Sequence, residues 1–427
     1  MNLFEHQIKA LKDTAHEDHC GYMYDMGLGK TFIGSEKMNQ LGNSLNILIC
    51  QKSKIDDWVE HFCKYYPTWI VVNFPKDEKR LSVEDIKKYS EHARVVMIVN
   101  YELAWRRPQI RLLTGCCLML DESSLIQNYG AKQTKFILSL STKQVILLSG
   151  TPCSGKYENL WTQLRLLGYP MSKTVYERTY VNWDLLNVGV RFVRVPNKQN
   201  PYKNVERLKK TLRDYGCVFM KTEECFTLPE QTFIPVKVKN SKLYRDMVKD
   251  RVVTVERREL VGSTMLSLRM ALRQICGSYS KEKLQAFEDL LDSTNDRLIV
   301  FYNFDIELGK LLNACEKHHK PVSVINGQKK DLTNYENASD SVTLCQYQAG
   351  AMGLNLQKAN KVIYFTLPER SDLFEQSKKR IHRIGQTKPC FYYVMTCDGT
   401  IENGIMKALE RKEDYTNELF QEEMGIC

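Results

Sequence analysis

Ten short apolar runs, arranged in two series of five, limit what this chain can fold into more than any other feature. The first series is GYMY (21–24), NILIC (46–50), RVVMIV (94–99), CCLML (116–120) and QVILLS (144–149). The second is RLIVFY (297–302), PVSVI (321–325), SVTLC (341–345), KVIYF (361–365) and CFYYVM (390–395). Amphipathic segments alternate with these runs, which is the pattern of parallel α/β layers. Runs apolar at nearly every position suit strands covered on both faces. The expectation is an α/β fold with two doubly wound parallel-sheet lobes, over 1–170 and 281–427. Between them, 171–280 reads as a basic, partly helical insert and linker. Its basic part carries Pro and Asn, and 241–277 shows a helical pattern.

At 427 residues the chain exceeds one core, and ~150 residues per domain gives two or three domains. Hydrophobic residues make up 43% and charged residues 26%, as in soluble globular proteins. No apolar run approaches the ~18 residues of a membrane span, and no signal-peptide core opens the sequence. The 14 cysteines include no Cys-x-x-Cys pair. Cys50, Cys116, Cys117 and Cys345 sit inside strand-like runs, where they read as small buried hydrophobes of a reducing compartment. His16, His19 and Cys20 form one cluster of donors, and Cys315, His318 and His319 another. Each lacks a second half, so neither reads as a zinc site.

The net charge of +10 favours a polyanionic partner. Between 187 and 213, eight basic residues (Arg191, Arg194, Lys198, Lys203, Arg207, Lys209, Lys210, Arg213) face one acid, Glu206. This stretch reads either as a solvated face or as a grip on phosphates.

In α/β sheets ligands bind beyond the carboxyl ends of strands, and the chemically suggestive residues cluster there. YDMGLGKT (24–31), with Tyr24 where the usual pattern has its first Gly, reads as a phosphate loop or as a chance Gly-Leu-Gly-Lys in a basic chain. Gly27 and Gly29 would let the backbone approach phosphate, with the next helix's N-terminus behind it. Lys30 would reach the β and γ phosphates and Thr31 would hold Mg²⁺. Asp121 and Glu122 emerge from a strand tip as a metal ligand and a water-polarising base, or as a helix cap. Ser149, Gly150 and Thr151 would sense the γ-phosphate or merely turn the chain. Arg380 and Arg383, three apart, would share one helix face as transition-state cations or as a solvated basic surface. Gly350, Gly353 and Asn355 form a turn suited to coupling between lobes.

In this order and at these spacings the pieces closely resemble the superfamily-two helicases, and more narrowly the Swi/Snf-type DNA-dependent ATPases. LFEHQIKAL, with Gln7, resembles the adenine-reading glutamine motif. DMGLGKT resembles motif I, ILICQKSKIDDW motif Ia, and DESSLIQN motif II. LLSGTPCSGKYENLWTQLRLL is similar to motif III with its Swi/Snf-type tail, and LQAFEDLLDSTNDRLIVFYNF to the start of the second lobe. AGAMGLNLQKANKVIYF resembles motif V and QSKKRIHRIGQ motif VI. The resemblance runs from Leu3 to about Leu409, and HRIGQ is its most family-specific part.

It implies RecA-like lobes with ATP and Mg²⁺ as cofactors and ATP held between the lobes. Lys30, Glu122, Arg380 and Arg383 would be catalytic. Gln7, Gly27, Gly29, Lys30, Thr31 and Gly353 would bind ATP, and Thr31 and Asp121 the metal. The partner implied is double-stranded DNA, gripped mainly through its phosphates, with no membrane and a monomeric motor. Ser124 stands where motif II often has His, and FTLPERSDLFEQ replaces the stretch common before motif VI. Both departures mark a divergent branch. The rivals are an RNA- or single-strand-dependent helicase of the same superfamily, a catalytically weak DNA-binding protein and a P-loop small-molecule kinase. The last would leave motifs V and VI without a role. With motifs at both extremes of the chain, a bare motor from a bacterial or phage-infected cytoplasm is expected.

Overall fold

The computed structural model describes residues 2–25, 27–150, 152–153, 156–187, 192–197, 199–350 and 354–411. It divides into two compact units, Met1–Phe226 and Thr227–Cys427.

The first unit contains β1 (His19–Tyr24), β2 (Leu45–Cys50), β3 (Ile70–Asn73), β4 (Val95–Asn100), β5 (Cys116–Asp121) and β6 (Thr142–Ser149). The hairpin β7 (Trp183–Asn187) and β8 (Phe192–Pro196) follows, then β9 (Cys217–Met220). Seven strands form one sheet in the order β3-β4-β2-β5-β6-β1-β9, with every neighbouring pair parallel. β2 and β4 are buried at all positions, as their unbroken apolar sequences require. The helix Lys30–Leu41 closes on this sheet at Gly34. A Cβ there would stand 2.8 Å from Leu148 and 2.9 Å from Met119, so glycine permits the close approach.

The second unit contains β10 (Gln231–Val238), the antiparallel pair β11 (Val252–Val255) and β12 (Arg258–Val261), and β13 (Leu298–Tyr302). β14 (Val322–Ile325), β15 (Val342–Gln346), β16 (Lys361–Tyr364) and β17 (Cys390–Cys397) complete it. Its sheet runs β10-β17-β16-β13-β15-β14, again parallel throughout. Inside its core, Lys283 and Glu402 form an ion pair at 2.6 Å with 0% and 3% of their side chains exposed.

All ten apolar runs lie in strands, and the two parallel sheets give the expected α/β architecture. The stretch 171–280 does not stand apart as a third body, because two of its strands join the edges of the two sheets. β9 pairs with β1 in the first unit, and β10 pairs with β17 over eight residues in the second. β10 alternates exposed and half-buried positions and contains Pro235, which an edge strand tolerates. The helical pattern over 241–277 is also interrupted. Helices Lys242–Asp250 and Met265–Ser278 flank the β11–β12 hairpin, whose turn places Glu256 at φ 47° and Arg257 at φ 62°. The β-branched VVTV favours a strand at that point.

Candidate nucleotide and catalytic sites

In the first sheet β5, β6 and β1 are neighbours, and their register sets Asp121 beside Leu148 and Ser149 beside Met23. The carboxyl ends carrying Asp121, Ser149 and the phosphate loop are therefore level. Gly27 (φ 90°) and Gly29 (φ 74°) take the left-handed backbone that favours glycine. Tyr24 ends β1, is buried and has no such φ, so its position needs no glycine. Its carbonyl instead accepts a 2.7 Å bond from Lys30 Nζ, which also donates to the Asp25 carbonyl at 3.1 Å. The Lys30 ammonium thus lies against the loop whose phosphate it is expected to hold. Thr31 follows in the first turn of the helix, and its hydroxyl has no protein partner among the described residues.

Gln7 is 1% exposed and braces this loop. Its Nε2 donates to the Leu28 and Gly29 carbonyls at 3.1 Å each, and its Oε1 accepts from the Phe4 amide at 2.9 Å. A Cβ on Gly29 would stand 2.3 Å from Gln7 Nε2, so the brace itself requires that glycine. Asp25 is tied to the β9 end by bonds from the Thr222 amide (3.2 Å) and hydroxyl (3.4 Å).

Asp121 Oδ2 accepts a 2.8 Å bond from the Trp58 indole. Burial pushes the Asp121 carboxyl above its ordinary pKa, while the Trp58 bond and the Lys30 and Lys54 ammoniums pull it down. A half-buried carboxylate at a strand end whose ionised form burial disfavours suits a cation ligand. Glu122 sits in the left-handed region (φ 60°), an uncommon conformation for this residue type, at the cap of a short 3₁₀ turn. The Tyr101 hydroxyl donates to the Asp121 carbonyl at 2.9 Å and to that of Glu122 at 3.4 Å.

Ser124, the departure in motif II, donates to Glu122 Oε1 at 3.0 Å. The link from motif II to motif III runs through the preceding residue. Ser123 Oγ donates to Gln163 Oε1 at 2.8 Å, and Gln163 Nε2 donates to the Pro152 carbonyl at 2.5 Å. Thr151 lies outside the described residues.

In the second unit Arg380 and Arg383 do not share a helix face. The helix ends at Lys378, and both arginines sit in the turns beyond it. They still converge, because Arg380 Nη1 and Arg383 Nη1 both donate to the Leu354 carbonyl, at 3.2 and 3.5 Å. Arg380 is buried, whereas Arg383 is half-exposed, and partial burial pulls the Arg383 pKa down. The rest of HRIGQ fastens this turn. His382 Nε2 lies 2.8 Å from the Pro229 carbonyl, and Gln386 Nε2 donates to the Gln357 and Ala359 carbonyls at 3.1 and 2.9 Å. Gly353 lies outside the described residues.

In the basic stretch, Lys209 pairs with Glu206 and Lys210 with Asp214, while Arg191 and Lys198 lie outside the described residues. Among the described residues, neither His/Cys cluster gathers three donors, but Cys276, Cys397 and Glu402 do. The Lys283 ammonium already satisfies that Glu402, with bonds at 2.6 and 2.7 Å. Trp58, Ser123 and Gln163 stand inside recognised motifs, yet nothing in their spacing assigns them these partners.

The model for the SNF2-related domain matches residues 6–281, and that for the helicase conserved C-terminal domain matches 282–385. The putative ATP-dependent helicase/translocase YwqA of Bacillus subtilis is 25% identical over 94% of this chain and 46% of its own length. The mouse SWI/SNF-related matrix-associated actin-dependent regulator of chromatin subfamily A member 1 is 24% identical over 91% of this chain and 40% of its own. This chain thus spans less than half the length of these relatives. The Sulfolobus solfataricus SWI2/SNF2 ATPase core in complex with dsDNA aligns over 99% of this chain and 92% of its own, at 20% identity and a TM-score of 0.49. With the first of these family models covering well over half of its residues, the chain belongs to the SNF2-related family of helicase-type proteins.

Proposed function

We propose that this chain is an ATP-driven motor that hydrolyses ATP when bound to double-stranded DNA and moves along the duplex. The observation that carries the reading is the level set of strand ends holding the phosphate loop, Asp121–Glu122 and Ser149, in a chain of this family. In this reading Lys30 leaves the Tyr24 and Asp25 carbonyls to cradle phosphate, and Gly27 and Gly29 admit it to the backbone. Gln7 keeps the loop in shape and so supports ATP affinity. Glu122, oriented by Ser124, polarises the attacking water. Thr31 and Asp121 would hold Mg²⁺, which neutralises phosphate charge when bound. Arg383, with Arg380 fixing its turn, would offset charge that develops in the transition state. The Ser123–Gln163–Pro152 chain gives a change at the nucleotide a path to motif III.

Steady-state ATP hydrolysis with duplex DNA, single-stranded DNA and RNA tests the proposal. The expected result is slow turnover alone and strong stimulation by duplex. Equal rates with and without nucleic acid, or stimulation by RNA only, would overturn it.

A further inference from the structure

The β7–β8 hairpin is firmly rooted, yet two of its large apolar side chains are bare. At the root Val181 bridges to Tyr202, the Asn197 amide donates to the Asn182 carbonyl at 2.8 Å, and Asn197 Nδ2 donates to both Asp184 oxygens at 2.9 and 3.1 Å. Farther out, Leu185 is 67% and Phe192 69% exposed. The register pairs Leu185 with Arg194 and Asn187 with Phe192, so Leu185, Phe192 and Arg194 share one face. A large aliphatic and an aromatic side chain held together in water on a well-anchored support mark a binding surface.

The charge that shares their face at Arg194, and that follows in the chain, indicates what binds. Arg194, Lys203, Arg207 and Arg213 enter no ion pair among the described residues, and Lys203 adjoins the hairpin's root through its amide bond to Tyr180. An intact duplex offers phosphates to such cations but keeps its base faces stacked inside. Unpaired bases offer both, a phosphate track for the cations and a flat apolar face for Phe192 and Leu185. The core of a protein–protein interface would be depleted of charge.

We propose that this hairpin face binds unpaired bases, so that the favoured substrate is duplex DNA with a fork or single-stranded flank. The proposal rests on the DNA-motor reading and narrows its substrate class. The test compares binding of the full chain to a linear duplex and to the same duplex ending in two unpaired arms, in parallel with ATP hydrolysis on the linear duplex. Wild type should bind the fork about tenfold more tightly, the value of one stacked base. Leu185→Ser/Phe192→Ser should bring the ratio to about one, while hydrolysis on linear duplex persists and serves as the control for folding. Phe192→Trp should keep the preference. A wild type without fork preference, or a double variant that retains it, would overturn the proposal. So would a double variant altered only in its oligomeric state, which would assign the face to protein contact. Failure of any DNA to stimulate hydrolysis would instead sink the motor reading, because fork preference is measured by binding alone.

Discussion

The Trp58 indole and the Asp121 carboxylate meet at 2.8 Å at the carboxyl end of β5, where burial already disfavours the ionised acid. Trp58→Phe keeps the aromatic packing and removes this donor, and a hydrogen bond to a charged group contributes ~1.5–3 kcal/mol. Its ATPase rate should fall by about tenfold or more, with the largest loss at low Mg²⁺; a Mg²⁺ titration of turnover checks this. Glu122→Gln should bind ATP and fail to hydrolyse it, and unchanged turnover would remove Glu122 from its role. Arg383→Ala should lower kcat by roughly 10³ with ATP affinity and thermal stability preserved. Arg380→Ala should also lower stability, because that guanidinium is buried against the Leu354 carbonyl. Melting curves of the two variants distinguish them. The places of Lys30 after β1 and of Asp121 at the end of β5 were legible in the sequence, because a local pattern marks each. Trp58 and Gln163 were not, since their partners lie 63 and 40 residues away and only the folded sheet brings them together.

Among elements, the helix Met265–Ser278 meets the helix Asp305–Lys317 at Gly277, where a Cβ would stand 1.9 Å from Glu307 Oε1. Burial pushes the Glu307 carboxyl up to about 7, against bonds to Oε2 from the Asn303 and Phe304 amides and the Thr366 hydroxyl. The folded chain therefore holds this proton more tightly than the unfolded one. Stability from this residue is complete below the ordinary value of 4.5 and is lost as pH rises through about 7. The loss is roughly 3 kcal/mol. Glu307→Gln should flatten the decline in apparent Tm between pH 4.5 and about 7, and parallel curves for the two proteins would contradict this. Lys283→Met should cost about 3–5 kcal/mol by leaving Glu402 buried without its cation, as checked by chemical denaturation. The ten core strands were legible because continuous burial demands continuous apolar sequence. β10 was hidden because an edge strand covered on one face sets Gln231, Pro235 and Lys237 at exposed positions and so breaks the apolar run. The β11–β12 hairpin was hidden because Glu256 and Arg257 make its turn without glycine.

For the whole molecule, the two-sheet plan follows from two series of apolar runs, and the family follows from the order of motifs placed at their ends. By composition the basic stretch is one block, but folding separates its members. Lys209 and Lys210 are held by acids on their own helix, and Arg194 stands on the hairpin. Replacing Arg194, Lys203, Arg207 and Arg213 by Gln should flatten the plot of log affinity against log salt on duplex DNA by ~0.9 per lost phosphate contact. A variant with the wild-type slope would return these side chains to a solvated surface. The central claim is movement along duplex DNA driven by ATP, and displacement of a third strand from a triplex tests it most directly. Wild type should release the third strand only when ATP is present, and Lys30→Ala and Glu122→Gln should leave it in place. Hydrolysis without release, or release by Lys30→Ala, would contradict the account.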